Sequence, residues 1–305
     1  MSISAFEYWP LVYDLYIYRR LCTVDEYKTT SMPLRNFSFR NIAIDTFNQA
    51  TESIIFTWKE IATILGLKQD IYKNPLHRPL SKPVKAILIG AGNRGNIYAD
   101  YALIHPNELN IIGVADQNAV RNGRFARKHN IAAANRFYNW EDVFARDKFA
   151  DAVIIATPDA LHAAPCLRAL DAGYDVLLEK PIALTEADCR LIHEKAKATG
   201  RIVGVCHVLR YSPYFKQLKE IITSGTIGDI VSVQHMEPIG FDHMAHSYVR
   251  GNWHNSTKSS PIILAKSCHD TDILRWLIDE PVEDIQCFGG LRLFTKENAR
   301  AGSTD

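Results

Sequence analysis

Four polar motifs follow short apolar runs in the middle of the chain, and each contains residue types that bind ligands or move protons. They are Gly90-Ala91-Gly92-Asn93-Arg94-Gly95, Asp116, Thr157-Pro158 and Glu179-Lys180-Pro181. A lysine donates hydrogen bonds to a hydroxyl group and, where burial favours its neutral form, assists proton transfer. Lys180, directly after the apolar run of residues 175–178, is therefore the first candidate for chemistry; the alternative is a surface lysine at a strand end.

The glycine motif fits the pattern GxGxxG and lies between an apolar run and a helical pattern. Such glycines permit a tight turn, close approach of the backbone to a pyrophosphate and close packing of helix on strand, while the helix N-terminus favours an anion. Asp116 follows about 20 residues later, where a carboxylate accepts hydrogen bonds from a ribose. We therefore predict a dinucleotide site, against a chance glycine turn and a helix cap. Its residues are Gly90, Gly92, Asn93, Arg94, Gly95 and Asp116.

The carboxylate of Asp116 would repel the 2′-phosphate of NADP, which favours NAD. Arg121 and Arg124 lie just beyond it and offer positive charge to that phosphate, so NADP is the alternative cofactor. We also predict that Thr157, Pro158, His162, Glu179 and Lys180 contact the cofactor. The alternative for His162 is a solvated helix residue.

The rhythm of the chain predicts the fold that brings these motifs together. Residues 85–89, 109–115, 151–156, 175–178 and 201–206 are predicted strands, and helices are predicted near 95–104, 118–129, 160–172 and 186–199. Apolar strands that alternate with helices predict an α/β fold with a doubly wound parallel sheet of the Rossmann type. Because ligands bind outside the carboxyl ends of such strands, all four motifs are expected in one crevice.

After residue 209 the pattern predicts a second domain of mixed α and β structure. A helix runs from Ser212-Pro213 to about 223, a strand-like run covers 230–235, and a second helix runs from Ser260-Pro261 to about 278. On that helix Lys266, His269 and Asp270 have the spacing i, i+3, i+4 and share one face. His269 suits a general base, with a structural histidine as the alternative. The predicted substrate-binding residues are Lys180, Arg210, Tyr211, Trp253, Lys266, His269 and Asp270.

Composition favours small-molecule partners. The formal net charge of +1 gives no general attraction to nucleic acid or an anionic membrane, and no apolar run approaches the length of a membrane span. Six cysteines without CxxC spacing predict reduced thiols and a cytoplasmic location. Two histidines at 243 and 246 form HxxH, but no further cysteine or carboxylate group completes a metal site, so a sugar-facing loop is preferred and no metal is predicted.

Length and pattern divide the 305 residues into three parts. Residues 1–82 are an N-terminal extension of unknown role, with a predicted helix at 51–66 and a proline-containing linker at 77–83. Residues 83–208 are predicted to form the nucleotide-binding Rossmann domain. Residues 209–305 are predicted to form a partial α+β substrate and oligomerisation domain.

Taken together, residues 84 to about 278 resemble the Gfo/Idh/MocA family, named for glucose-fructose oxidoreductase and inositol dehydrogenase. The resemblance is carried by the glycine motif, Ala156-Thr157-Pro158, Glu179-Lys180-Pro181 and Ser267-Cys268-His269-Asp270. It implies an NAD(P)-dependent oxidoreductase that transfers a hydride between nicotinamide and a sugar, sugar derivative or cyclitol. It further implies that Lys180 and His269 flank the reacting carbon, and that a complete second domain forms homo-oligomers.

Three features depart from the family pattern. Many members have an aspartate four residues before the histidine, where this chain has Ala265; residues 1–82 have no counterpart; and the chain ends at Asp305, so we expect only part of the family's second sheet. These departures keep three alternatives open: an NAD-dependent glycosidase or epimerase, a non-catalytic nucleotide- and sugar-binding sensor, and an inactive fragment.

Overall fold

One six-stranded parallel sheet organises the protein. The computed structural model describes residues 80–256 and 259–299. The strands are β1 Val84–Ile89, β2 Leu109–Ala115, β3 Arg136–Phe137, β4 Ala152–Ile155, β5 Asp175–Leu178 and β6 Val203–Val205. Their order, β3-β2-β1-β4-β5-β6, is that of a doubly wound dinucleotide-binding fold. The five predicted strands are confirmed, whereas β3 has only two residues and is too short to give a sequence pattern.

Helices connect the strands and continue beyond the sheet. They are α1 Asn93–Ile104, α2 Ala119–Lys128, α3 Glu141–Phe144, α4 Ala163–Asp171, α5 Glu186–Thr199, α6 Pro213–Thr223, α7 Phe241–His243, α8 Ile262–Ala265 and α9 Cys268–Ile278. Short 3-10 turns cover Asp159–Leu161 and Val208–Tyr211, and a π-helical turn covers Met244–Val249. Among the described residues, no helix is both long and apolar enough to cross a membrane.

The sheet is buried on both faces, which explains its apolar strands. In β1, Ala86 and Leu88 point into one hydrophobic cluster, and Ile87 and Ile89 point into the other. Neither face of such a strand tolerates a polar side chain, so polar residues are displaced to the strand ends. The register aligns those ends, because Ile89 pairs with Ala115 of β2 and with Ile155 of β4.

Two predictions for the second part are wrong. Residues 230–235 form no strand: Val231 is 96% exposed, and no described segment supplies the hydrogen-bonding partner that a strand requires. The long helix predicted from Pro261 is two helices, α8 and α9, interrupted at Lys266 and Ser267. The helix predicted at 51–66 lies outside the described residues.

Candidate functional site

The carboxyl ends of the central strands place the polar motifs side by side. The ladder continues one residue past each strand: Gly90 N donates to Ala115 O, and Glu179 N donates to Ile155 O, both at 2.9 Å. Gly90, Asp116, Ala156 and Glu179 therefore occupy neighbouring positions along one edge of the sheet, as the sequence predicts for a ligand crevice.

The three motif glycines meet different constraints. Gly90 has φ +93°, and a Cβ there would lie 2.6 Å from Ala156 O. A Cβ on Gly95 would lie 2.2 Å from Gly90 O, so both positions exclude a side chain through backbone contact. A Cβ on Gly92 would meet nothing within 4 Å. Gly92 thus leaves open space at the N-terminus of α1, which has no side-chain cap, and this geometry fits a pyrophosphate.

Asp116 is 7% exposed and its carboxylate is held from several sides. Oδ2 accepts a hydrogen bond from Ala91 N at 2.8 Å, and Oδ1 accepts one from Asn118 N at 2.7 Å. Arg121 Nη2 adds an ion pair with Oδ1 at 3.0 Å. The cap of α2 is Asn118, whose side chain accepts from Val120 N and Arg121 N, so the alternative of Asp116 as that cap is wrong. Asp116 instead faces the glycine turn, where a ribose would lie.

The motif after β4 serves mainly the protein's own structure. Thr157 Oγ1 donates to Leu161 O at 3.0 Å. His162 is fully buried, with Nδ1 at 2.7 Å from Pro181 O and Nε2 at 3.0 Å from Thr157 O. The solvated alternative for His162 is therefore wrong. Both ring nitrogens face backbone carbonyl groups of the protein, so His162 joins two strand-end loops.

Glu179 anchors the lysine motif. Its Oε2 accepts from Lys180 N at 2.8 Å, its Oε1 accepts from the Tyr98 hydroxyl, and Arg94 Nε lies 3.9 Å from Oε1. Burial, with Cys206 and Glu179 nearby, holds the pKa of Tyr98 well above its ordinary value, so the phenol stays a donor. Glu179 is only 6% exposed, and its buried carboxylate fixes the backbone position of Lys180.

The break between α8 and α9 brings Lys180 to the second part of the chain. In a continuous helix Ala265 O would accept from His269 N. Here His269 N donates to Lys266 O at 3.1 Å, and Ala265 O accepts from Lys180 Nζ at 2.7 Å. The interruption therefore frees one carbonyl group, and that carbonyl orients the candidate catalytic lysine.

His269 begins α9 in a positively charged, largely buried environment. Burial, together with the charges of Lys180, His207, Lys266 and Arg94, lowers its pKa from 6.5 to about 3. Within the described part of the chain its Nδ1 is buried without a hydrogen-bond partner. The His207 ring lies edge-on with its centroid 6.0 Å from that of His269. His269 is therefore a neutral imidazole with an uncommitted nitrogen at neutral pH.

Arg210 is held by a residue that the sequence reasoning missed. Its Nε and Nη2 donate to the two carboxylate oxygens of Asp272 at 2.8 and 2.6 Å. Asp272 lies three residues after His269, so helical spacing was an available signal. His207 was missed as well, although it follows a predicted strand directly. Tyr211, beside Arg210, has its pKa raised by burial.

The other predicted substrate-binding residues are spread over several contacts. Lys266 pairs with Glu237 at 3.1 Å, and Asp270 Oδ1 lies 2.9 Å from His235 Nε2. Because Lys266 precedes the start of α9, the predicted common helical face is wrong. Across the described ranges, no group of three or more His, Cys, Asp or Glu residues is arranged to hold a metal ion.

Trp253 connects the second part of the chain to the cofactor half. Its Nε1 donates to Asp159 Oδ2 at 2.9 Å, and the Ser260 hydroxyl donates to the same oxygen. Asp159 is 6% exposed and lies two residues after Thr157, so proximity to that motif was the only sequence signal. The indole N–H of Trp253 is therefore committed to an internal contact.

Comparison with known proteins agrees with this architecture. The model described as "Oxidoreductase family, NAD-binding Rossmann fold" matches residues 84–207, and the model described as "GFO/IDH/MocA C-terminal domain" matches residues 215–302. The inositol 2-dehydrogenase of Rubrobacter xylanophilus is 28% identical over 216 residues, which are 68% of this chain and 56% of that protein. Inositol 2-dehydrogenase 1 of Saccharopolyspora erythraea is 36% identical over 138 residues, 45% of this chain and 37% of that one.

Among solved structures, myo-inositol 2-dehydrogenase from Lactobacillus plantarum superimposes with a TM-score of 0.58 at 21% identity, covering 65% of this chain and 57% of that chain. This chain thus spans about half the length of these relatives. Two models of one family cover both parts of the described chain, and its sheet has the corresponding strand order. The chain belongs to the GFO/IDH/MocA family of oxidoreductases and carries that family's NAD-binding Rossmann fold.

Proposed function

We propose that the protein is an oxidoreductase that transfers a hydride between NAD and a CH–OH group of a cyclitol, sugar or sugar derivative. The observation that carries the proposal is the meeting of Lys180 and the α8–α9 break, which places the ammonium group beside the segment that bears His269. The relatives named inositol 2-dehydrogenase support the substrate class.

The cofactor would be held by the strand-end motifs. Gly90, Gly92 and Gly95, with Asn93 and Arg94, form the turn and helix start for the pyrophosphate, and Asp116 faces the adenosine ribose. Thr157, Pro158 and Glu179 complete that edge toward Lys180. When bound, the nicotinamide supplies the hydride acceptor or donor, and the protein supplies orientation and proton transfer.

Lys180 and His269 have complementary roles in this proposal. A lysine ammonium has three donors, and Lys180 uses one on Ala265 O. A second can donate to the reacting oxygen and stabilise the negative charge that develops there. The neutral imidazole of His269, whose Nδ1 has no hydrogen-bond partner among the described residues, can take the hydroxyl proton. Its pKa of about 3 makes it a weak base until negative charge arrives at the site.

The predicted substrate contacts fit this arrangement to different degrees. Arg210 is oriented by both oxygens of Asp272, and Tyr211 follows it in the same turn. Lys266 and Asp270 flank His269 and its break, and each has one ion-pair partner. We propose that these residues contact substrate hydroxyls, and that Trp253 closes the site through its bond to Asp159.

The test is NADH formation by the purified chain with a panel of cyclitols and sugars. We expect NADH to accumulate, and Lys180→Ala to lower turnover about 100-fold or more while the Kd of NAD changes little. Lys85→Ala, at the opposite end of β1, is the matched control. Unchanged turnover in Lys180→Ala would contradict the assignment. Substrate conversion without NADH would favour an epimerase or glycosidase, and binding without conversion would favour a sensor.

We further propose a cytoplasmic protein with an N-terminal extension at 1–82, a Rossmann domain at 83–208 and a partial α+β domain at 209–305. It acts on small molecules and forms homo-oligomers through its second domain. The five cysteines that lie in the described part of the chain are free thiols, which supports a reducing location. Val231 and Phe288 are 96% and 92% exposed, which supports burial of that part against another copy. Light scattering after size exclusion tests the oligomer; a monomer at micromolar concentration would contradict it.

A further inference from the structure

The lysine of the candidate site is held by a backbone carbonyl group and not by a carboxylate. Lys180 Nζ donates to Ala265 O at 2.7 Å, and Ala265 is 1% exposed. Over residues 80–256 and 259–299, no carboxylate oxygen lies within ion-pair distance of Lys180 Nζ. A carbonyl oxygen orients an ammonium group but carries no net charge to compensate it.

The carboxylates around this lysine are each engaged elsewhere. Glu179 accepts from Tyr98 and from the backbone of Lys180, Asp272 accepts two bonds from Arg210, Asp270 pairs with His235, and Glu237 pairs with Lys266. The side chains of Asp270 and Asp272 are 13% and 12% exposed, so their partners are fixed within the fold. No carboxylate among the described residues therefore forms an ion pair with Lys180.

Two neighbouring histidines lie in positively charged surroundings. Burial, followed by the positive charges of Lys180, Lys266 and Arg94 and by His207, lowers the pKa of His269 to about 3. Burial also lowers the pKa of His243, and Lys266, Lys180 and Arg94 lower it further, against only a weaker effect of Glu237. A half-buried site of this kind favours a ligand that brings its own negative charge.

We propose that the substrate is a polyhydroxy carboxylate, such as a sugar acid, whose carboxylate binds Lys180 at the place that Ala265 leaves without an acidic side chain. The inference rests on the proposed function, because it assigns the substrate class of the same site. Two hydrogens of the Lys180 ammonium are left after its bond to Ala265 O. One can serve the reacting hydroxyl, and the other can serve a carboxylate on a neighbouring carbon.

The first experiment compares matched ligands on the wild-type chain saturated with NADH. Calorimetric titration with uronates and aldonates, each paired with its neutral parent sugar or alditol, measures binding without turnover. We expect at least one acid to bind about tenfold or more tightly than its neutral parent, the scale of one charge-assisted hydrogen bond. Equal or tighter binding of the neutral partner in each pair, or binding of no acid at all, would overturn the proposal.

The readouts separate this inference from the proposed function. NADH formation with neutral cyclitols and no preference for acids would leave the function standing and sink the inference. Tight binding of an acid without NADH formation in the turnover assay would support the acidic ligand and contradict the proposed dehydrogenase function. Each outcome therefore decides one of the two claims by itself.

The second experiment returns the carboxylate to the protein. Ala265→Asp places an acidic side chain beside Lys180, and Ala265→Asn is a neutral control of nearly equal size. We expect Ala265→Asp to weaken acid binding about tenfold relative to Ala265→Asn, with no such loss for the neutral parent. Equal effects of the two variants on the acid would refute the charge argument. Thermal unfolding checks both variants, and if neither folds, the wild-type ligand comparison decides.

Discussion

Replacing Arg121 by alanine should strengthen the preference of the chain for NAD over NADP. The carboxylate of Asp116 accepts from Ala91 N and Asn118 N and also pairs with Arg121 at 3.0 Å. A carboxylate offers about four acceptor positions, so the guanidinium occupies positions that ribose hydroxyls would use. After the substitution, the two backbone donors still orient Asp116, and the freed positions face the ribose.

The magnitude follows from exposure. The Arg121 side chain is 55% exposed, whereas that of Asp116 is 3% exposed, so the pair is screened and contributes about 0.2–1 kcal/mol. Since about 1.4 kcal/mol is a tenfold change in affinity, NAD should bind about 1.4- to 5-fold more tightly to Arg121→Ala. NADP should bind about tenfold more weakly, because its 2′-phosphate loses a cationic partner and still meets Asp116.

Calorimetric titration of NAD and NADP with wild type and Arg121→Ala tests this directly. Arg124→Ala is the matched control, since Arg124 is an exposed arginine of the same helix, with no hydrogen bond or ion pair to Asp116. We expect Arg124→Ala to leave the ratio of the two dissociation constants within about twofold of wild type. Equal weakening of NAD and NADP in Arg121→Ala, or the same ratio change in Arg124→Ala, would refute the reasoning.

Three further predictions concern the supporting structure. Gly92→Ala should fold normally and bind NAD at least about tenfold more weakly, whereas Gly95→Ala should be destabilised by several kcal/mol, because its Cβ would lie 2.2 Å from Gly90 O. Chemical denaturation and NAD titration distinguish the two effects, and equal stabilities of the two variants would contradict the geometry. Burial lowers the pKa of His129 from 6.5 to about 4, so the folded state loses stability as pH falls below 6.5. Between pH 7 and pH 5 the free energy of unfolding of wild type should fall by about 2 kcal/mol more than that of His129→Gln. Parallel pH profiles of the two proteins would argue against this. His162→Phe keeps an aromatic ring but removes the ring N–H that donates to a backbone carbonyl, so the free energy of unfolding should fall by about 1–3 kcal/mol. The loss should be smaller in His162→Gln, and a Phe variant as stable as wild type would show that these contacts are unimportant.

The glycine turn and the buried strands could be predicted from the sequence. Gly90 and Gly95 are required within one turn, by positive φ and by contacts between neighbouring strand and helix, so their spacing alone predicts the turn. The apolar strands were also readable, because a strand buried on both faces admits no polar residue. The strand-like run at 230–235 misled because β-propensity describes suitability for a sheet, and a sheet also needs a partner.

The amino-acid sequence by itself therefore predicted the Rossmann domain, the candidate cofactor-binding motifs at the strand ends and the family. Each depends on residues close together in sequence or on the alternation of strands and helices. Only the tertiary structure decided how the candidate site is held. The bond from Lys180 to Ala265 O, the pairing of Arg210 with Asp272 and the bond from Trp253 to Asp159 join segments far apart in the chain. No local pattern specifies which distant acceptor a side chain will meet, because that depends on where helices break and how the two parts pack.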